Sequence, residues 1–449
     1  MNLITHIQDL VRGTDIARTK CFLDKSDKWT TEELNAYSLQ KLQKLIKFSY
    51  ERVPYYTQLM DSVQVKPADI KCLSDVEKIP VSTKDMIRKN LKLLIADNVN
   101  ITDRKIRAGK TAGTTGAYLR LYKNTQTRDF TWGAYKRWYD WMGVKSSDKI
   151  AVLWGDAAVL SENKYKKIKK GILSKLSRTL SISSYSLNNE TMPETVNSLI
   201  EFKPVLLRGY LSSILQIARY FDENNLTLPS LKAISSTTET LLPLYREYIE
   251  NVFGVKMYDQ YGCGECGSMA FECPAHEGLH ITEEHCLVEI LDEKNQNIYD
   301  KTGRVILTDL DNYAMPFIRY ENGDSAVKSA KKCSCGRASE LLTSISGRTK
   351  DVIYLKNGSS VPGGFFARIF NELGFDNFEY FTRFQIYQKV KGDYVCRLEK
   401  TEKQIPKSLM LQTQNTLLRF GNNVSIELHD KLKNDRSGKF RYVISDIED

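Results

Sequence analysis

The chain has 449 residues, 41% of them hydrophobic, which is enough to fill the cores of two or three domains and excludes a disordered protein. No stretch approaches the ~20 apolar residues that span a bilayer, and the opening MNLITHIQDLVRGTDIARTK lacks a signal-peptide core, so a cytoplasmic protein is expected. A formal charge of +10 suits polyanions such as a nucleotide, coenzyme A, an acidic sugar or nucleic acid, without choosing among them.

Residues 1–95 read as a helical cap. The run ELNAYSLQKLQKLIKFSYERVPYYTQLM repeats apolar residues every three to four positions until Val53-Pro54 ends the element. From about 100 to 330, β-like runs (KIAVLWG, PVLLRGY, KAISSTTE, GRVILTDL) alternate with helical ones (LSSILQIARYFDENN, LLPLYREYIENVFG), which predicts α/β layering. Between Lys164 and Arg178 lie seven cations and no acid. That segment reads as a solvated helix or loop, with peripheral contact to a membrane or a polyphosphate as the alternative. After the Gly- and Ser-rich boundary SGRTKDVIYLKNGSSVPGG the pattern restarts with a helix (FFARIFNELG), two β-runs (FTRFQIYQKV, DYVCRLEKT), a helix (IPKSLMLQTQNTLLRFG) and a strand (NVSIELHD). The expected domains are a large one over 1–346 and a small α+β one over 347–449, joined by a hinge. No repeat or low-complexity tract interrupts this plan.

Five short segments carry candidate chemistry. In Lys110-Thr-Ala-Gly-Thr-Thr-Gly116, Gly113 and Gly116 free backbone amides to turn toward an anion, and Thr111, Thr114 and Thr115 add hydroxyls. The order of a P-loop is absent, since the lysine precedes the glycines. In Tyr258-Asp-Gln-Tyr261-Gly262-Cys-Gly-Glu265-Cys-Gly267, Tyr261 could stack on a base and Glu265 could reach a magnesium ion on phosphates. The run Thr308-Asp-Leu-Asp-Asn-Tyr-Ala-Met-Pro-Phe-Ile-Arg-Tyr320 leads to Gly323-Asp324, where a carboxylate could accept ribose hydroxyls. Ser346-Gly-Arg348-Thr-Lys-Asp351 and Ser437-Gly-Lys439-Phe-Arg441 each present a cation on a tight turn of a mobile part. Taken singly, each is also what an ordinary loop or basic tail looks like.

Together and in this order, TAGTTG, YGCGECG, TDLDNYAMPFIRYENGD, SGRTKD and SGKFR resemble the core motifs of the adenylate-forming superfamily, in its phenylacetate-CoA ligase-like and CapK-type branch. The resemblance runs from about residue 30 to the end. It implies a large multi-layer N-terminal domain with a helical cap and a small C-terminal lid. Thr111, Gly113, Thr114, Thr115, Gly116, Tyr261, Gly262, Glu265, Asp324, Arg348 and Lys439 would bind ATP, with Lys439, Glu265 and Thr115 as catalytic residues and Glu265 as the magnesium ligand. Two departures bear on the second half-reaction: Ala112 stands where the family's phosphate loop has serine, and LKNGSSVPGGFFARIF lacks the RGxNxxP-type continuation.

Six of the nine cysteines fall between Cys263 and Cys335, with three of the five histidines nearby. Cys273-x2-His276-x3-His280 and Cys333-Ser-Cys335 offer soft ligands for a closed, structural zinc site of Cys273, Cys333, Cys335 and one histidine, His280 ahead of His276. The rival set pairs Cys263 and Cys266 with Cys333 and Cys335, as in a zinc ribbon. The expected function is ATP-dependent activation of a small carboxylic acid as an acyl-adenylate, then transfer to coenzyme A or an amine, in cell-envelope polysaccharide or small-acid metabolism. The alternatives are a non-catalytic nucleotide-binding protein on the same fold and a zinc-bearing nucleic-acid-binding protein. Trp154, Tyr210 and Thr237 to Glu239 are the candidates for contacting the acid.

Overall fold

The structure of the protein is a computed structural model that describes Asp9 and residues 14–110, 119–155, 178–184, 187–188, 190–348, 352–358, 360–362, 366, 369–370, 373, 380–434 and 440–447. The residues expected to form a phosphate loop, Thr111, Gly113, Thr114, Thr115 and Gly116, together with Lys439 and residues 164–177 of the cationic run, lie outside these, and of Arg348 only the backbone is described. The chain divides into two compact units, Met1–Gly143 with Gln260–Ile345, and Val144–Asp259 with Ser346–Asp449.

The first unit opens with helices. α1 (Ile16–Ser26) is followed by α2 (Thr31–Arg52), which starts on a reciprocal cap: the Glu33 amide donates to the Thr30 hydroxyl and the Thr30 amide to the Glu33 carboxylate. Val53, extended before proline, ends α2, and Pro54 opens α3 (Pro54–Ser62) where its missing N–H costs nothing. Leu42, Leu45, Ile46, Tyr56 and Met60 from these helices are buried in the core of this unit. α4 (Thr125–Trp141) begins with the Thr127 amide donating to Asn124 Oδ1.

α4 carries Arg137, whose Nη1 lies 2.7 Å from Glu284 Oε1 and 3.2 Å from Asp27 Oδ1. Burial works against the charged Glu284, but the Arg137 guanidinium and the Ser26 hydroxyl outweigh it and hold the carboxyl below its ordinary value of 4.5. The pair's contribution is therefore complete above pH 4.5 and lost as the pH falls through the lowered folded value. Arg137→Met strands Glu284 in the interior and is expected to cost about 3–5 kcal/mol at pH 7, read from the shift in the urea midpoint at constant slope.

The second unit holds a five-stranded parallel sheet: β1 (Ile150–Trp154), β2 (Thr179–Ser183), β3 (Leu206–Tyr210), β4 (Ala233–Thr237) and β5 (Lys256–Tyr258), in the spatial order β2-β1-β3-β4-β5. Helices α5 (Met192–Phe202), α6 (Leu211–Glu223) and α7 (Pro243–Phe253) connect the strands. Ala151, Leu153, Leu207, Ile234 and Met257 pack in one buried core with Ile214, Ile217, Phe221 and Ile249 of the helices. The strand order reverses between β1 and β3, and in open α/β sheets ligands bind beyond the carboxyl ends of the strands at such a point.

Returning to the first unit, the chain builds β6 (Gln260–Cys263), β7 (Gly267–Glu272), β8 (Leu279–Ile281), β9 (Cys286–Leu291), β10 (Thr302–Asp309), β11 (Tyr320–Lys328) and β12 (Leu341–Arg348). Their order is β9-β10-β11-β12-β8-β7-β6, and Ser82–Thr83 adds a short parallel partner to β11. The chain thus leaves β8 for the far edge and returns by a meander until β12 pairs with β8. The last part of the second unit is the sheet β15-β14-β13-β16, made from β13 (Phe381–Val390), β14 (Asp393–Lys400), β15 (Asn423–His429) and β16 (Val443–Ser445), with α8 (Lys407–Leu418). These are the β-runs and the second helix expected from the sequence. Of FFARIFNELG, Phe366, Ile369 and Phe370 are described and helical. Among the described residues no helix is long and apolar enough to cross a membrane.

Candidate active site

The Tyr261-to-Glu265 segment folds as a hairpin between β6 and β7. Gly262 is required there because a Cβ would lie 2.5 Å from the Gly267 carbonyl oxygen. Along β11 burial alternates, which sets Tyr320, Asn322 and Asp324 on the buried side. The Tyr320 hydroxyl donates to Glu265 Oε1 at 2.8 Å. The Tyr261 hydroxyl donates to Asp324 Oδ2 at 2.7 Å, and Asn322 Nδ2 donates to both the Tyr261 oxygen (2.7 Å) and Asp324 Oδ2 (2.8 Å). Burial and the adjacent carboxylates push both phenols well above their ordinary value, so each stays protonated and donates. Two motifs some sixty residues apart therefore meet as one polar stripe with two buried carboxylates, Glu265 and Asp324.

Behind the hairpin lies a charged cluster that the sequence reading did not single out. His285 Nε2 lies 2.9 Å from the Cys266 carbonyl oxygen and Nδ1 lies 2.7 Å from Asp311 Oδ2. Lys41 Nζ donates to Asp311 Oδ1 at 2.6 Å, and Gln126 Nε2 donates to the same oxygen at 2.9 Å. The ring stacks on Phe130, centroids 5.6 Å apart and planes within 9°. Burial disfavours a charged imidazole here, yet Asp309 and Asp311 outweigh it and raise the His285 pKa. Arg319 of the same long motif is a structural clamp. Its guanidinium meets Glu289 through Nε (3.1 Å) and Nη2 (2.8 Å) and donates to the Glu77 and Ile79 carbonyls.

The cysteine-rich stretch converges on four side chains. Ligand atoms of Cys273, His280, Cys333 and Cys335 all lie within 4.8 Å of one another. Cys273 Sγ and Cys333 Sγ are 3.7 Å apart, and Cys335 Sγ is 3.2 Å from His280 Nε2. A tetrahedral zinc with Zn–S of about 2.3 Å sets its sulfurs ~3.8 Å apart, whereas a disulfide needs about 2.05 Å. The other ring nitrogen of His280, Nδ1, lies 2.8 Å from Ser339 Oγ, which fixes the ring. Burial lowers the His280 pKa to about 4, leaving a neutral imidazole. His276 is not one of the four: it sits in a turn at φ 55° with Nδ1 3.2 Å from Glu272 Oε1. Cys263 and Cys266 lie on the hairpin, outside this group.

No family model matches the chain. It is 24% identical over 340 residues to a phenylacetate-coenzyme A ligase of Thermus thermophilus, covering 74% of each chain, and 25% identical to the Escherichia coli phenylacetate-coenzyme A ligase, covering 77% of this chain and 78% of that one. It is 27% identical to Protein CapK of Staphylococcus aureus, over 64% of this chain and 61% of the relative. A crystal structure of 2-hydroxyisobutyryl-CoA ligase superposes with a TM-score of 0.76 at 18% identity, covering 94% of this chain and 92% of that one. The fold is that of the adenylate-forming ligases. An anthranilate CoA ligase, AuaEII, has it too, with a TM-score of 0.56 at 13% identity over 89% of this chain and 79% of its own.

Within this adenylate-forming fold, Trp154 and Tyr210 end adjacent strands at the point where the strand order reverses, their rings 4.9 Å apart. Arg208 lies 5.4 Å from the Trp154 ring. Of the run Thr237 to Glu239, Thr238 adopts φ 75°, a costly conformation for a β-branched residue. Glu239 is buried and accepts the Ser212 amide (2.6 Å), the Ser212 hydroxyl (2.9 Å) and the Phe440 amide (2.9 Å). That carboxylate thus completes the start of α6, whose N-cap residue Tyr210 offers no side-chain cap.

Proposed function

We propose that this protein is a ligase that activates a small carboxylic acid with ATP and passes the acyl group to coenzyme A. The similarity to phenylacetate-CoA ligases over three quarters of the chain carries this reading, and the meeting of Glu265 with Tyr320 and of Asp324 with Tyr261 supports it. In the first step the acid's carboxylate attacks the α-phosphorus of ATP and pyrophosphate leaves. In the second, the thiol attacks the acyl carbonyl carbon and AMP leaves. Thr111, Gly113, Thr114, Thr115 and Gly116 hold the phosphates, Tyr261 and Gly262 bound the nucleotide, and Asp324 and Arg348 take the ribose hydroxyls. Lys439 offsets the charge that gathers on the phosphoryl oxygens. Glu265 would supply one hard oxygen ligand for magnesium, which when bound would neutralise phosphate charge.

Cys273, His280, Cys333 and Cys335 hold a structural zinc, as the spacing of their ligand atoms suits. Thiolate ligands of that kind need a reducing compartment, and we assign the protein to the cytoplasm.

Acid-dependent ATP–pyrophosphate exchange against aryl, short aliphatic, amino and uronic acids tests the reading. Exchange with one class, followed by thioester formation when coenzyme A is added, is the expected outcome. Amide formation with an added amine instead of a thioester would shift the acceptor toward the CapK side of the similarity. ATP binding with no exchange for any acid would favour a nucleotide-binding protein without catalysis. Asp324→Asn is expected to raise the KM for ATP about tenfold with a smaller change in kcat, because the amide cannot accept from both Tyr261 and Asn322 and still serve a ribose.

A further inference from the structure

We propose that His285 is a positioning residue for adenylation, acting as a fixed cation that holds the backbone of the Glu265 turn through the Cys266 carbonyl. The inference rests on the assignment of Glu265 to the nucleotide site.

Both ring nitrogens of His285 face acceptors, the Cys266 carbonyl at 2.9 Å and the Asp311 carboxylate at 2.7 Å, and only an imidazolium donates to both. The ring is 1% exposed and stacked on Phe130, so it cannot turn away to water. The groups packed around it balance in charge: His285 and Lys41 against Asp309 and Asp311, both carboxylates at 0% exposure. His285, Asp309 and Asp311 also have the spacing of a metal site, but Lys41 already sits 2.6 Å from Asp311, so the chain brings its own cation.

Cys266 follows Glu265 directly. The turn is therefore held from two sides, its side chain by the Tyr320 hydroxyl at 2.8 Å and its main chain by His285. A carboxylate that must meet developing phosphate charge gains from being fixed before the reaction, and a displacement of about 1 Å is enough to cost some hundredfold in rate. A histidine used only to fill the core would not need both of its nitrogens aimed at an aspartate and at this one carbonyl.

The test uses the full-length protein with His285→Asn and Asp311→Asn, the second of which leaves the ring in place and removes its counter-charge. In the wild type, nitrogen NMR of labelled histidine is expected to show both His285 ring nitrogens carrying protons at pH 7. In both variants kcat for pyrophosphate exchange is expected to fall at least tenfold and the magnesium concentration for half-maximal rate to rise several-fold. The KM for the acid should stay within about twofold. Amide exchange over residues 260–272 is expected to quicken in the variants whether or not the acid is known. A neutral ring in the wild type, or unchanged magnesium dependence and exchange in a variant that only melts earlier, would overturn the proposal. Failure of the underlying reading is separable, because Glu265→Gln would then keep full exchange activity.

Discussion

Glu265→Gln is expected to lower acid-dependent ATP–pyrophosphate exchange by roughly a hundredfold or more while the protein stays folded. The amide oxygen can still accept the Tyr320 hydroxyl at the place where Oε1 does now, so no buried donor is left without a partner. What disappears is the charge and the metal-binding oxygen. Glu265 is 5% exposed, and a charge in so dry a setting acts on a nearby phosphate far more strongly than one on the surface. The measurement is exchange kinetics at saturating ATP beside a thermal melt. A variant that melts like the wild type and exchanges as fast would make Glu265 no more than an acceptor for Tyr320.

Cys333→Ser, Cys335→Ser and His280→Ala are each expected to abolish zinc binding, measured as metal per chain by emission spectroscopy on protein purified without added metal. Cys263→Ser and His276→Ala should retain it, which separates the two ligand sets directly. Loss of a closed tetrahedral site from a folded domain removes binding free energy that the unfolded chain cannot recover. A cost of about 3–5 kcal/mol, or on the order of 10 °C in melting temperature for a unit of this size, is the expected scale. The rate per folded molecule should change little, since none of the four ligands belongs to the Glu265 and Asp324 stripe. Absence of zinc in the wild type would leave three reduced cysteines and a neutral histidine packed beside Leu341 and Trp141.

Much of this was legible in the sequence because local patterns decide it. Val53-Pro54 had to break a helix, and the β-runs around Leu153, Leu207 and Ile234 had to be buried strands. Pairing over long distances was not legible. The choice between His276 and His280 turns on strand register, which sets His280 opposite Phe271 on one side and Leu341 on the other, while His276 lies in the preceding turn. His285 and Asp311 stand 26 residues apart, one in the turn before β9 and the other in the loop after β10, and no spacing rule marks them. Arg319, inside the long motif and given no role by the sequence, clamps Glu289. Glu239, read beforehand as a contact for the acid, directs its carboxylate to Ser212 and Phe440.

The four side chains proposed to hold zinc come two from each end of the long excursion between β8 and β12, with Cys273 and Cys333 separated by 60 residues. Closing a loop of that length costs on the order of 4 kcal/mol of chain entropy, whichever contact closes it first. The β8–β12 ladder is only two residue pairs long and cannot recover that cost alone. Metal capture there would close the same loop as strand pairing, so the entropy would be lost once and both gains would follow. During synthesis β8 pairs with β7 on one side, while its other edge has no partner until the chain has passed Leu342. Refolding in the presence of a chelator should therefore be slowest at this step, and a zinc held by these four side chains would set the order in which the sheet assembles.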